Sequence, residues 1–375
     1  MFLTVADENI PHVSQAFAST GHVRVLDAES ITDKVCANAD VLLVRSVTRV
    51  DQSLLSHSRV RFVGSATAGF DHIDRAYLRE RGIQFTHAAG SNADSVVEYV
   101  LSALIRLSAL QMRPLAGLTL GIVGCGNIGG RLAVRAPAFG LHILKNDPPL
   151  ANAGHSGFVD LESILAESDI ITLHVPKSSD TYHLIEKSAL QSMKPGVWLL
   201  NTSRGSVIDN AVLSKVLDTG RIGATVLDVW ENEPTPDLGL LRKVTLGTPH
   251  IAGHSVDGKL QGTVMLYKAV TDYFGIQPTW DFEQVLQQDL PPPISADPEP
   301  SSNWLDTLVR CLYDIRADDA RMRMLLNTPH DQVARKFRQL RRNYPSRRAF
   351  GRHRVTGIPS SLLQTVRDGL CVVCQ

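Results

Sequence analysis

Cysteine is scarce in this chain of 375 residues: there are five, at Cys36, Cys125, Cys311, Cys371 and Cys374. An odd, sparse set argues against a disulfide scaffold and for a reducing compartment. Cys371 and Cys374 form a C-x-x-C, but no second Cys or His pair stands at zinc spacing, so no metal site is expected. No apolar run reaches about 18 residues, so no transmembrane helix is expected. The opening Met1-Phe2-Leu3-Thr4-Val5-Ala6-Asp7-Glu8 lacks a basic segment and turns acidic at once, unlike a signal peptide. Charge of one sign is not in excess: 38 basic and 38 acidic residues give a formal net charge of zero. A general attraction to nucleic acid or to an anionic membrane is therefore not expected. Internal repeats with a period of about 20–50 residues are also absent.

What is present is the composition of an ordinary globular protein, 43% apolar and 20% charged. At about 150 residues per domain the length allows roughly two to three domains. Residues 41–44 and 60–64 read as buried strands, followed by the turns Arg45-Ser46-Val47-Thr48 and Ser65-Ala66-Thr67-Ala68-Gly69. Strand, loop and helix alternating in this way predict a parallel α/β sheet. Residues 93–112 contain neither Gly nor Pro and predict one long helix behind the caps Ser91 and Asn92. A second α/β segment follows, with strands expected over 119–123, 142–145, 170–174, 197–201 and 224–228. A helix over 259–274 is expected to return the chain to the first segment. The resulting domains are 1–92 with 259–285, 93–258, and 286–375. The last of these opens on a linker by composition, 286–303, carrying Leu290-Pro291-Pro292-Pro293-Ile294 and Asp297-Pro298-Glu299-Pro300. The segment beyond it is small for a core of its own.

The strongest local signal is Leu120-Gly121-Ile122-Val123-Gly124-Cys125-Gly126-Asn127-Ile128-Gly129. A buried strand feeds Gly-x-Gly-x-x-Gly, and a helical stretch follows. Gly124 permits the tight turn, Gly126 lets the backbone approach a pyrophosphate, and Gly129 allows close helix–strand packing. Asp147 stands 18 residues beyond Gly129, after the next strand, where a carboxylate binds the adenine ribose of NAD. Pro148-Pro149 follows, with no Arg for a 2′-phosphate, which favours NAD over NADP.

Three ionisable residues sit at predicted strand ends: Arg204 in Asn201-Thr202-Ser203-Arg204-Gly205, Glu233 after Asp228-Val229-Trp230, and His250 in Thr248-Pro249-His250-Ile251-Ala252-Gly253-His254. Ligands of open α/β sheets bind at such ends. An arginine clamps a carboxylate bidentately, a histidine moves a proton, and a glutamate beside it fixes its tautomer. Residues 335–354 carry nine Lys/Arg and no acid. This stretch reads as a solvated or interface-lining face, the other option being an Arg that reaches the substrate phosphate of a partner subunit.

Residues 124–129, 201–205, 228–234 and 249–253 together resemble the signatures of the D-isomer-specific 2-hydroxyacid dehydrogenases. The gaps of 29 from Arg204 to Glu233 and of 17 from Glu233 to His250 fit, with Glu233 rather than Glu231 in the catalytic register. A narrower resemblance is to the branch acting on 4-phospho-D-erythronate. It rests on Asp7-Glu8-Asn9-Ile10-Pro11, Val44-Arg45-Ser46-Val47-Thr48, residues 66–72, Asn146-Asp147-Pro148-Pro149, residues 226–230, and the tail segments 312–320 and 337–344. The resemblance implies two Rossmann-like doubly wound parallel-sheet domains, the first of them substrate-binding, and a small α/β C-terminal dimerisation domain. It implies NAD as cofactor, a cytoplasmic homodimer, and oxidation of 4-phospho-D-erythronate to 2-oxo-3-hydroxy-4-phosphobutanoate in vitamin B6 biosynthesis. His250 then takes the hydroxyl proton, Glu233 stabilises the imidazolium, and Arg204 holds the carboxylate. Gly124, Gly126, Asn127, Ile128, Gly129, Asp147, Thr202, Ser203, Asp228 and Gly253 match cofactor-contacting positions. So does Val175, where relatives often carry Thr. Ser46 and Thr67 match substrate-contacting positions, His254 stands where the family usually has a substrate-binding Tyr, and Arg45 is a phosphate candidate by charge and loop position. Two other readings stay open: a dehydrogenase for another hydroxy acid, such as 3-phosphoglycerate or a hydroxypyruvate, and a non-catalytic NAD(H)-sensing protein.

Overall fold

The structure, a computed structural model, describes residues 2–296, 301 and 303–375. Asp297-Pro298-Glu299-Pro300, part of the expected linker, lies outside the described residues. The chain divides into two compact units: residues 1–92 with 255–290, and residues 93–254 with 291–375.

The first unit is built on β1 (Phe2–Asp7), β2 (Gly21–Leu26), β3 (Val41–Val44), β4 (Phe62–Ser65) and β5 (Gln84–His87). All pair in parallel, in the order β2-β1-β3-β4-β5. Every residue of β3 and β4 is buried, as a parallel strand covered on both faces requires. One face packs Val5, Leu42, Val44 and Val63 against Leu55 and Leu78. The other packs Ala6, Leu43 and Phe62 against Leu266, Tyr267 and Val270. Those last three lie on the Val256–Phe274 helix, so the returning segment completes this core. That helix starts three residues before its expected position because Ser255 caps it, accepting the Gly258 N–H at 2.9 Å.

The second unit carries β6 (Thr119–Val123), β7 (His142–Asn146), β8 (Ile170–Leu173), β9 (Val197–Asn201), β10 (Ile222–Leu227) and β11 (Leu246–Gly247). They form a six-stranded parallel sheet in the order β11-β10-β9-β8-β6-β7. The order reverses between β6 and β8, which sets a ligand-accepting switch point at the carboxyl ends of those strands. The Ala93–Gln111 helix packs its apolar face on this sheet and stops one residue short of expectation, where Met112 adopts φ 50°.

The tail belongs to this second unit. Trp304, Leu308, Phe350, Val355 and Leu370 join Val97, Leu104 and Leu120 in one core, while Met322, Leu325 and Phe337 join Leu241 and Val244 in another. A segment this small gains its burial by sharing cores. Part of the expected linker is also structured: β12 (Ile294–Ser295) pairs with β13 (Arg354–Thr356), which pairs with β14 (Val373–Cys374). The solvated-face reading of 335–354 fails at Arg347, which is 6% exposed and donates to the carbonyls of Ser95 and Ala252. All five cysteines are free thiols. Among the described residues no helix is long and apolar enough to cross a membrane.

Candidate active site

At the switch point of the second unit, each glycine of the loop after β6 has a distinct reason to be glycine. Gly124 has φ 88°, and a Cβ there would lie 2.8 Å from the backbone carbon of His174. A Cβ at Gly129 would lie 2.0 Å from the Gly124 carbonyl oxygen. A Cβ at Gly126 would meet nothing within 4 Å, so that backbone is open to a ligand. Asn127 and Ile128 then open the Asn127–Arg135 helix, whose first N–H groups favour an anion. Asp147, at the end of β7, accepts the Cys125 N–H at 2.8 Å and the Leu150 N–H at 3.1 Å. It braces the glycine loop from the position where the sequence places a ribose-binding carboxylate. This open glycine, helix terminus and carboxylate fit a dinucleotide.

Motif reading missed His174, which precedes Val175 after β8. Its Nε2 pairs with Thr172 Oγ1 at 3.1 Å and its Nδ1 with Thr202 Oγ1 at 3.2 Å. Burial pushes its pKa down to about 3, so it is a neutral tie between the ends of β8 and β9. Its only sequence signal is its place at a strand end.

Arg204 is set by the turn after β9. Asn201 accepts from Ser203 N–H at 3.0 Å and Ser203 Oγ at 2.7 Å, and its Nδ2 donates to the Arg204 carbonyl at 2.9 Å. The Arg204 side chain remains half-buried, with Nη1 donating to the Ser203 carbonyl at 2.9 Å. Gly205 lets this turn press on the loop after β10: a Cβ there would lie 2.0 Å from the Trp230 carbonyl carbon.

That second loop carries Glu233, whose Oε1 accepts the Trp230 N–H at 3.0 Å. Its Oε2 accepts from His250 Nδ1 at 2.7 Å. Burial alone raises the carboxyl pKa of Glu233, but the charge and hydrogen bond of His250 and the Trp230 N–H outweigh it, and the net shift is downward. With Nδ1–H committed, Nε2 of His250 is the nitrogen left to exchange a proton. Glu231 is engaged elsewhere, accepting from His183 Nε2 at 2.7 Å and from the Asn210 N–H at 2.9 Å. His183, Asp209 and Glu231 together form the one group of three His, Cys or acid side chains among the described residues close enough to share a cation.

His250 itself has φ 57°. Its N–H donates to the Asp228 carbonyl at 2.7 Å, while the Asp228 carboxylate accepts Ile251 N–H at 2.8 Å, Ala252 N–H at 3.0 Å and Thr248 Oγ1 at 2.6 Å. Asp228, read as a cofactor-contacting position, is placed as a buried clamp on the histidine loop, 1% exposed. Burial raises its carboxyl pKa. The tail reinforces the clamp: Arg347 donates to the Ala252 carbonyl at 2.6 Å, and the Tyr344 ring meets His254 edge-on at 5.6 Å. Gly253, between Ala252 and His254, is half-buried.

The remaining expected substrate residues lie in the first unit. Ser46 is exposed; Arg45 and Thr67 are half-buried. Thr67 Oγ1 pairs with Ser65 Oγ at 2.8 Å and donates to the Gly69 carbonyl at 2.8 Å.

Comparison with known proteins agrees with this geometry. Residues 94–252 match the model of the D-isomer-specific 2-hydroxyacid dehydrogenase NAD-binding domain, and residues 288–368 match a domain of unknown function. The chain is 46% identical to an erythronate-4-phosphate dehydrogenase of Salinibacter ruber, over 98% of this chain and 97% of that protein. It is 42% identical to one of Azotobacter vinelandii, over 97% of both. A D-lactate dehydrogenase from Aquifex aeolicus, solved with NAD and lactic acid, is similar over 72% of this chain and 95% of that one, with a TM-score of 0.61 and 27% identity. The chain belongs to the D-isomer-specific 2-hydroxyacid dehydrogenase family, among the erythronate-4-phosphate dehydrogenases.

Proposed function

We propose that this chain oxidises 4-phospho-D-erythronate to 2-oxo-3-hydroxy-4-phosphobutanoate with NAD, a step of vitamin B6 biosynthesis. The observation that carries the reaction class is the His250–Glu233 pair, closed at 2.7 Å in the same unit as the glycine loop. Gly124, Gly126, Asn127, Ile128, Gly129 and Asp147 hold the dinucleotide, with Val175, Thr202, Ser203 and Gly253 lining it. When bound, NAD supplies the hydride acceptor.

The chain's own side chains do the rest. His250 Nε2 takes the proton of the C2 hydroxyl, and the ring becomes an imidazolium. Glu233, held ionised by its partners, stabilises that cation through Nδ1 and keeps Nε2 free for the substrate. Arg204 holds the C1 carboxylate through its planar fork, which fixes C2 in line for transfer. Ser46 and Thr67 contact the substrate, and His254 donates to its polar end. A cytoplasmic homodimer is part of the same reading; free thiols support a reducing compartment, and the likeness of the tail to its branch supports the dimer.

His250→Ala tests the assignment of the base. Turnover is expected to fall by roughly 10²–10⁴, the usual worth of a positioned acid–base group, with NAD affinity nearly unchanged. Near-wild-type turnover would remove His250 from the mechanism.

A further inference from the structure

The first unit holds a cationic cluster that proton and hydride transfer do not use. Its strand order reverses between β1 and β3, so the loops leaving those strands diverge and open a crevice. Arg45 follows β3, and its Nη1 donates at 3.4 Å to the carbonyl of Asn9, in the loop after β1. The Val256–Phe274 helix crosses the same loop, where Thr263 Oγ1 donates to the Pro11 carbonyl at 2.9 Å. Lys259 precedes Thr263 by four residues and so shares its helix face, one turn nearer the N-terminus. Gly262 packs this turn against the loop of Thr67: a Cβ there would lie 3.3 Å from the Ala66 carbonyl oxygen.

Lys259 and Arg45 thus approach one crevice from two elements. Partial burial, and then the charge of Arg45, hold the Lys259 ammonium below its ordinary pKa. Among the described residues no carboxylate pairs with Lys259. The acid at the end of β1, Asp7, is taken up by Asn9, accepting its N–H at 2.8 Å and its Nδ2 at 3.0 Å. A half-buried ammonium pressed by a guanidinium is relieved by an anion that bonds both, and a phosphate monoester carries nearly two charges at neutral pH.

We propose that Lys259, together with Arg45, forms the subsite for the phosphate monoester of the substrate. This rests on the reading of the substrate as 4-phospho-D-erythronate, and it adds a specificity-determining cation that no motif singles out.

The test uses Lys259→Met and Lys259→Arg in the full chain, with NADH binding as the control for folding. For Lys259→Met, the KM for 4-phospho-D-erythronate rises roughly ten- to hundredfold, the usual worth of a charge-assisted hydrogen bond, while Lys259→Arg recovers most of it. In parallel, inorganic phosphate is titrated by calorimetry; its affinity for Lys259→Met falls by a similar factor. An unchanged KM, or equal phosphate affinity in wild type and Lys259→Met, overturns the subsite. Should the wild type oxidise only an unphosphorylated hydroxy acid, the substrate reading fails, and the phosphate titration alone decides the subsite. Absence of phosphate binding to the wild type then overturns it as well.

Discussion

Histidine at φ 57° adopts a conformation that costs most side chains energy, and here three neighbours hold it. Asp228 fixes the backbone at His250 and at the two residues after it, Glu233 fixes the ring, and Arg347 fixes the next carbonyl but one. Glu98 belongs to the same support: its Oε1 accepts the Phe350 N–H at 2.8 Å, and it faces Arg347 from the Ala93–Gln111 helix. Burial pushes its carboxyl up from an ordinary 4.5 to about 7, against the opposing pull of the Arg347 charge and the Phe350 N–H. A carboxyl whose folded pKa is raised contributes stability that is full below its unfolded value and is lost as pH rises through the folded one. Wild type therefore loses stability between about pH 4.5 and 7 that Glu98→Gln does not lose, by up to about 3 kcal/mol. Thermal unfolding of both proteins from pH 5 to 8 checks this: the curves converge at the acid end and the Gln variant is the more stable at pH 8. Parallel curves would show that Glu98 titrates normally.

Among the elements, the glycine loop separates a binding role from a packing role. A methyl at Gly129 collides with the Gly124 carbonyl, whereas a methyl at Gly126 meets open space. Gly129→Ala should destabilise the fold by about 1–3 kcal/mol, as overpacking does. Gly126→Ala should unfold within about 1 kcal/mol of wild type yet bind NADH tenfold or more weakly, because the lost feature is access to the backbone. Denaturant unfolding and NADH titration on both variants check the pair; a Gly126→Ala variant with normal affinity would contradict the loop assignment. This loop was legible from sequence because its function rests on glycines at fixed spacing behind an apolar strand. Arg204, Glu233 and His250 were legible for a similar reason, each lying a few residues beyond a strand. Asp228 was legible as a position and not as a clamp, since its partners are backbone N–H groups of a loop 20 and more residues on. His174 and Lys259 escaped because their signal is tertiary: one lies between two strand ends, the other one turn into a helix.

For the whole molecule, the parallel-sheet architecture followed from alternating apolar runs and helical stretches, and strand ends moved by one or two residues. The tail was harder to read. Its composition suggests a Pro-rich linker and a basic surface, yet its apolar residues complete the cores of the second unit and Arg347 is buried beneath the histidine loop. Composition cannot distinguish a solvated arginine from one that bonds a distant carbonyl. The tail therefore braces the histidine loop of its own chain, at Ala252 and His254, besides the part proposed for it in the dimer. A sensing protein that binds NAD without turnover has no need of a closed His250–Glu233 pair, and this chain keeps that pair and Arg204.

The central claim is tested most directly by NADH absorbance on mixing the purified protein with NAD and 4-phospho-D-erythronate, with a 2-oxo acid acceptor added in a parallel run. NADH formation, or acceptor-dependent turnover, with 4-phospho-D-erythronate and not with 3-phosphoglycerate is the predicted result. No signal from either while NAD binding is intact, or equal signals from both, would contradict it.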